Sequence, residues 1–220
     1  MTTISPVRTR CAGDLIVAIR EATQRHADWA QTASLVAAQL RQHLPGPEIL
    51  TAQERAGDPD CYRSHLLHTE PDGSFSIVAL VWRPGQVTPI HDHVTWCVFG
   101  VLQGVEYEEL YALSEDGRQL RQVGRNQNLT GEVSGFAPPG DIHRVRNCGT
   151  GIAISLHVYG ADIESSGTTF YIDGKAVYST SATSTGNTTI IVDNFAYSTI
   201  PPAAGSTGQM KVDYVRAWQH

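Results

Sequence analysis

The stretch "HDHVTWCVFGVLQG", from His91 to Gly104, decides how this chain is read. Two histidines stand one residue apart, and a cysteine, Cys97, follows four residues after the second. On a β-strand, residues i and i+2 face the same way, so His91 and His93 can serve one ion from one strand. An HxH pair on its own is weak, because it also occurs by chance on exposed strands. The sequence around it has to supply the rest.

Outward from this stretch the chain reads as strands. "FSIVALVW" (Phe75 to Trp82) has the composition of a buried strand, introduced by a turn at Asp72-Gly73. "WCVFGVLQG", "VEYEELYAL", "GEVSGFAPPG", "HRVRNCG" and "IAISLHVYG" are short apolar runs separated by Gly, Asn or Pro, and "SEDGR" (Ser114 to Arg118) is a turn. Many short strands at regular spacing predict an antiparallel barrel or sandwich. Ahead of them, residues from about Asp14 to Leu44 read as helical. Leu15, Ile16 and Ile19 form one apolar stripe; Trp29, Val36, Leu40 and Leu44 form a second, stopped by "PGP" at Pro45 to Pro47. Both stripes are expected in the core.

Composition narrows the class. A formal net charge of −6 advertises no basic surface for nucleic acid. No apolar run approaches the length that spans a bilayer, and "MTTISPVRTRCAGD" lacks the apolar core of a signal peptide. A cytoplasmic protein without membrane or nucleic-acid partners is the expectation. Cys11, Cys61, Cys97 and Cys148 lack CxxC spacing and read as free thiols.

Gly85 lies six residues before His91, and "PPGDIHRVRN" later supplies Pro138, Gly140, His143 and Asn147. Together these resemble the two motifs of the cupin superfamily, G-x5-H-x-H-x3-4-E-x6-G and P-x-G-x2-H-x3-N. One defined position differs: Cys97 stands where the glutamate falls, with Gly104 correctly spaced beyond it. The resemblance implies a mostly β fold, a cupin-type antiparallel β-barrel preceded by N-terminal helices. It also implies a metal bound by His91, His93 and His143 alone. Three neutral ligands leave coordination positions open, which suits a catalytic site, and without the carboxylate an anionic group such as a thiolate can balance the charge. Imidazole suits Fe(II), Zn and Cu alike.

Over roughly residues 10 to 163 the chain resembles the thiol dioxygenases of cysteine dioxygenase type, carried by "TPIHDHVTWCVFGVLQG", "PPGDIHRVRN" and "ISLHVYG". That resemblance implies Fe(II) as cofactor, a small thiol and O2 as substrates, and a sulfinate product. The family's Ser-x-His-x-Tyr chain falls on Ser155, His157 and Tyr159, which alternate on one strand face. The cysteine at Cys97 is the one linked to that tyrosine by a thioether in some members; its alternative is a small buried thiol. The substrate carboxylate is held in the cysteine enzymes by an arginine near the start of the barrel. "CYRSHLL" puts Tyr62 and Arg63 there, with slightly different spacing to "HDH"; the alternative for Arg63 is an ordinary surface arginine. The wording "TPIHDHVTW" also resembles 3-mercaptopropionate dioxygenases. The chain is expected to act as a monomer.

Near Ile163 the style changes. No leucine follows Leu156, and Ser and Thr make up a large share of the remaining residues. "TTFYIDGKAVYS" is a hairpin pattern turning at Asp173-Gly174, "TTIIVDNFAYS" a second strand, and "MKVDYVRAW" alternates Met210, Val212 and Tyr214 toward Trp218. This tail resembles the last strands of laminarinase-type glycoside hydrolases without their E-x-D-x-x-E catalytic strand, so the paired carboxylates of glycoside hydrolysis are missing. The expected organisation is a helical region over 1–60, a metal-bearing barrel over 61–163 and a β-rich tail over 164–220. Besides the thiol dioxygenase, two readings stand: a cupin enzyme of other chemistry, and a carbohydrate-binding module built on the tail.

Overall fold

The structure, a computed structural model, describes residues 6–93, 95–114, 120–138, 141–163, 167–172, 175–180 and 215–218, with side chains between 13 and 163. Two helices come first, α1 (Pro6–Thr23) and α2 (Trp29–Gln42). A 3-10 turn at Pro47–Ile49 and a short helix α3 (Ala52–Arg55) follow. Asp28 caps α2 by accepting from the backbone N–H of Gln31 at 2.8 Å, and Thr51 and Glu54 form a reciprocal capping box on α3.

Eight strands then build two antiparallel sheets: β1 (Arg63–Thr69), β2 (Ser76–Trp82), β3 (Cys97–Gln103), β4 (Val105–Leu113), β5 (Leu120–Leu129), β6 (Val133–Phe136), β7 (His143–Arg146) and β8 (Ala153–Tyr159). The larger sheet runs β1-β2-β8-β3-β6 and the smaller β5-β4-β7. Isolated bridges Val87↔Arg146 and His91↔His143 extend the smaller one. This is the mostly β, antiparallel architecture with N-terminal helices that the sequence predicts. A third sheet, β10-β9-β11, is formed by β9 (Gly167–Ile172), β10 (Lys175–Thr180) and β11 (Val215–Trp218). The "TTFYIDGKAVYS" hairpin is therefore present as paired strands. Its Asp173-Gly174 turn, the "SEDGR" turn after Ser114, "TTIIVDNFAYS" and residues 210–214 lie outside the described residues.

The larger sheet is buried on both faces, which is why β2 and β8 read as near-continuous apolar runs. Its outer face (Ile77, Ala79, Val81, Val98, Leu102, Ile154, Leu156, Val158) packs against Leu15 and Ile19 of α1 and Ala33, Val36, Ala37 and Leu40 of α2. Truncating a fully buried leucine such as Leu40 to alanine costs about 2–5 kcal/mol. Gly100 lets α2 approach: a Cβ there would stand 2.6 Å from Leu44 Cδ1. Gly104 turns β3 into β4 at φ 77°, and its missing Cβ would press on the Ile152 carbonyl at 2.8 Å, so the motif glycine is required twice over. A two-pronged ion pair ties α1 to the β1–β2 hairpin: Arg20 donates to Glu70 at 2.7 and 3.0 Å, and His68 Nε2 meets the same carboxylate at 2.9 Å.

Two expectations are corrected. Trp29 is not core: as the first residue of α2 it is 48% exposed, and the packed stripe starts a turn later at Thr32 and Ala33. "LRQVGRNQNL", not recognised as a strand, is β5, a largely exposed strand whose polar residues hide the alternation.

Candidate metal centre

The inner face of the larger sheet carries the chemistry. Residues opposed in an antiparallel pair share a face. Leu80↔Ser155, Val78↔His157, Phe99↔His157 and Cys97↔Tyr159 therefore put Ser155, His157, Tyr159 and Cys97 on one surface. Across from it stand His143 on β7 and the segment holding His91 and His93. The backbones of His91 and His143 exchange both hydrogen bonds, at 2.9 and 2.8 Å, which fixes the two side chains next to each other.

The nitrogens of His91, His93 and His143 lie within 4.8 Å of one another. Ring centroids are 4.6 to 5.1 Å apart. Nε2 of His91 and Nε2 of His143 are 3.2 Å apart. Two nitrogens held by one ion at about 2.1 Å, at tetrahedral or octahedral angles, are about 3.0–3.4 Å apart, so the spacing fits a shared metal. Each ring has its other nitrogen occupied. His91 Nδ1 lies 3.0 Å from the Pro89 carbonyl, His93 Nδ1 3.1 Å from Asp141 Oδ2, and His143 Nδ1 2.7 Å from Glu108 Oε1. Acceptors at all three Nδ1 atoms place the proton there and turn the Nε2 lone pairs inward, as metal-bound histidines require. Burial, then the neighbouring imidazoles, hold the His91 pKa well below its usual value. His93 is also lowered, with burial outweighing the opposing pull of Asp141. Neutral imidazole is the metal-binding form.

The supporting carboxylates were not identified from sequence as site residues. Burial would raise the pKa of Glu108, but bonds from His143 and Asn126, with the Asn128 amide nearby, outweigh it, and Glu108 stays ionised. Asp141 behaves alike, held by the side chain and backbone N–H of His93. The available signals were local: Glu106 and Glu108 alternate on one strand, and Asp141 lies two residues before His143.

Beside the histidines runs a polar chain. Trp82 Nε1 donates to Ser155 Oγ at 3.5 Å, Ser155 Oγ lies 2.9 Å from His157 Nε2, and His157 Nδ1 lies 3.5 Å from the Tyr159 hydroxyl. Burial, then His93 and His143, lower the His157 pKa to about 3. Burial also pushes the Tyr159 phenol and the Cys97 thiol well above their usual values, so all three are neutral. Cys97 Sγ is 3.9 Å from His157 Nδ1. Tyr159 reaches the metal side, its ring 6.0 Å from that of His93. Phe136 packs on His93 and His143, and Phe99 stacks on His157.

The structure thus brings together His91, His93, His143, Cys97, Ser155, His157 and Tyr159. It adds Tyr62, which stacks on Trp82 at 4.5 Å and packs on the inner cluster beside Tyr159. Arg63 is the exception. It is opposed to Val81, whose side chain faces the helices, so Arg63 lies on the outer face. There Asp58 takes its guanidinium, at 3.0 Å from Nε and with a second contact from Nη2. Gly140 lies outside the described residues.

The family described as cysteine dioxygenase type I matches residues 1–166. Cysteine dioxygenase type 1 of Danio rerio is 33% identical over 114 residues, covering 50% of this chain and 57% of that protein. The chain spans a little over half the length of that relative. Among solved structures, a recombinant oxalate oxidase in complex with glycolate is 19% identical with a TM-score of 0.38, over 47% of this chain and 53% of that one. A Cupin 2 conserved barrel domain protein from Salinispora arenicola is 22% identical with a TM-score of 0.35, over 46% and 76%.

Proposed function

The chain belongs to the cysteine dioxygenase type I family, and from that premise we propose that it is an Fe(II)-dependent dioxygenase of a small thiol, cysteine or a close relative. The thiol R–SH and O2 combine to R–SO2H, so both oxygen atoms end on sulfur and no further co-reactant is consumed. The observation that carries the reading is the converging set of three imidazoles, each with its Nδ1 engaged, beside the Ser155–His157–Tyr159 chain.

His91, His93 and His143 would hold the iron, which when bound would supply the redox chemistry of the reaction. The protein's own residues do the rest. Three uncharged ligands leave the charge of the site to be balanced by a thiolate. Tyr159, a neutral phenol, offers an O–H to the bound substrate, and His157 and Ser155 fix its direction. Phe136 and Phe99 keep water from the reacting sulfur. No helix among the described residues is long and apolar enough to cross a membrane; a cytoplasmic enzyme working on a dissolved metabolite is part of this proposal.

One feature widens the substrate range. Arg63 faces away from the interior, so the substrate carboxylate is not met by that guanidinium. Cysteine and 3-mercaptopropionate both remain substrates under this reading. The test is O2 uptake by the iron-loaded protein with L-cysteine, 3-mercaptopropionate and cysteamine in turn, with the sulfinate identified by mass. Absence of sulfinate from all three thiols refutes the reading.

A further inference from the structure

We propose that Glu106 is a positioning residue that sets the direction of the Ser155–His157–Tyr159 hydrogen-bond chain from its far end. This rests on the reading of Tyr159 as the group that meets substrate. Glu106 lies on β4 opposite Asn128 and is 1% exposed. Neither carboxyl oxygen makes a hydrogen bond of ordinary length. A buried carboxyl left in that state is costly and calls for a use. Nothing in the three-histidine group employs it; Glu108, two residues on, already supports His143.

The groups facing Glu106 define the use. From β8 it meets Ser155, and its charge is felt further along at Tyr159; from β2 it meets the Trp82 indole; from β5, Asn128; on its own strand, Glu108. The Ser155 hydroxyl and the Trp82 N–H are the donors that favour its ionised form, while burial and Glu108 oppose it. Burial wins, and the pKa is pushed up to about 7. Both forms are therefore populated near neutrality.

Each form dictates one arrangement of protons, because Ser155 has a single proton and neutral His157 has one to share between two nitrogens. With Glu106 ionised, Ser155 donates to it. Ser155 Oγ then accepts from His157 Nε2–H, and the bare Nδ1 accepts from the Tyr159 O–H. The phenol proton is turned away from substrate. With Glu106 protonated, it donates to Ser155, Ser155 donates to His157 Nε2, and His157 Nδ1–H donates to the phenol oxygen. The Tyr159 proton is then free to point at substrate. The change from one to the other is the uptake of one proton, so the balance closes. Protonated Glu106 marks the form in which Tyr159 is a donor to substrate.

Infrared difference spectra of the metal-free protein across a pH titration provide a test independent of turnover. The parent should show a protonated carboxyl band that disappears near neutrality. Glu106→Gln should abolish the band, and Ser155→Ala should move it by removing its nearest donor and acceptor. Failure to see the band, or its survival in Glu106→Gln, overturns the assignment. Should Glu106→Gln not fold, an unmoved band in Ser155→Ala does the same. In the loaded enzyme, glutamine donates at every pH. The ratio of Glu106→Gln to parent kcat should thus rise about tenfold between about pH 6 and pH 8, as the parent carboxyl ionises. Substrate ionisation is common to both proteins and cancels in that ratio. A ratio independent of pH refutes the coupling to Tyr159. A titrating band in a protein that oxidises no thiol separates failure of the dioxygenase reading from failure of the Glu106 assignment.

Discussion

His143 Nδ1 stands 2.7 Å from Oε1 of Glu108, and both side chains are 4% exposed. The contact fixes a tautomer: His143 donates its Nδ1–H to the ionised carboxylate in a hydrogen bond and keeps a lone pair on Nε2, where His91 Nε2 converges on it. A buried anion behind a neutral ligand also makes that ligand a stronger donor to a cation.

Glu108→Ala should therefore weaken iron binding by about 10- to 100-fold, the range for loss of such a supporting carboxylate. Asp141→Ala should act in the same direction through His93. Competition against a chelator of known affinity reads both. Affinity equal to the parent's in Glu108→Ala would show that the carboxylate serves folding alone.

The ligands themselves are less replaceable. His91→Ala, His93→Ala or His143→Ala leaves two imidazoles, and each variant should lose most of the iron found in the parent, measured by elemental analysis at equal protein concentration. Retention of the full complement by any one of them removes that histidine from the proposed site.

Arg63→Ala should change KM for L-cysteine by less than about twofold, whereas loss of a charge-assisted bond to substrate would cost about 1.5–3 kcal/mol, tenfold or more. The reason is its register: Arg63 shares the face of Val81, against the helices, and is engaged by Asp58. A tenfold rise in KM would mean that the side chain reaches the interior during turnover.

The contrast between Tyr62 and Arg63 shows where sequence reading stops. The three histidines and "SLHVY" were legible because each falls in a short local motif that resembles the family's, with strand alternation placing neighbouring members on one face. Which face a residue takes at the start of β1 depends on pairing with β2, and a shift of one position exchanges inside for outside. Glu108 and Asp141 were hidden for another reason. An acid on a strand looks solvent-exposed until its partner arrives from a strand distant in sequence, as His143 does 35 positions later. β5 escaped because a mostly solvated strand has no need of apolar alternation. The family match ends at residue 166; a boundary near Ile163 with a separate tail unit beyond it is our proposal.

Cys97 and Tyr159 are directly opposed across β3 and β8. If a thioether joins them, its formation removes two hydrogens, with O2 as the electron acceptor. Protein recovered after turnover should then be lighter by those two hydrogens, and a peptide map should show the two peptides joined. Recovery of both residues free after many turnovers excludes the cross-link and leaves Cys97 as a packed thiol.

Glu106 gives the stability profile a sign opposite to that of its neighbours. For Glu108 and Asp141 the folded pKa lies below the ordinary value, so the stability they contribute is present above that value and is lost as pH falls. For Glu106 the folded pKa is raised from 4.5 to about 7. Between those values the folded state binds the extra proton, so its contribution is complete below about 4.5 and is lost as pH rises to about 7. The gap of about 2.5 pH units, at about 1.4 kcal/mol for each, is about 3–4 kcal/mol. Glutamine does not ionise, so Glu106→Gln should gain about that much on the parent between about pH 4 and pH 8, whatever its stability at either end. Urea unfolding of both metal-free proteins at several pH values measures the difference directly. Parallel stability curves over this range would mean that Glu106 titrates alike folded and unfolded, and that its burial imposes no electrostatic cost.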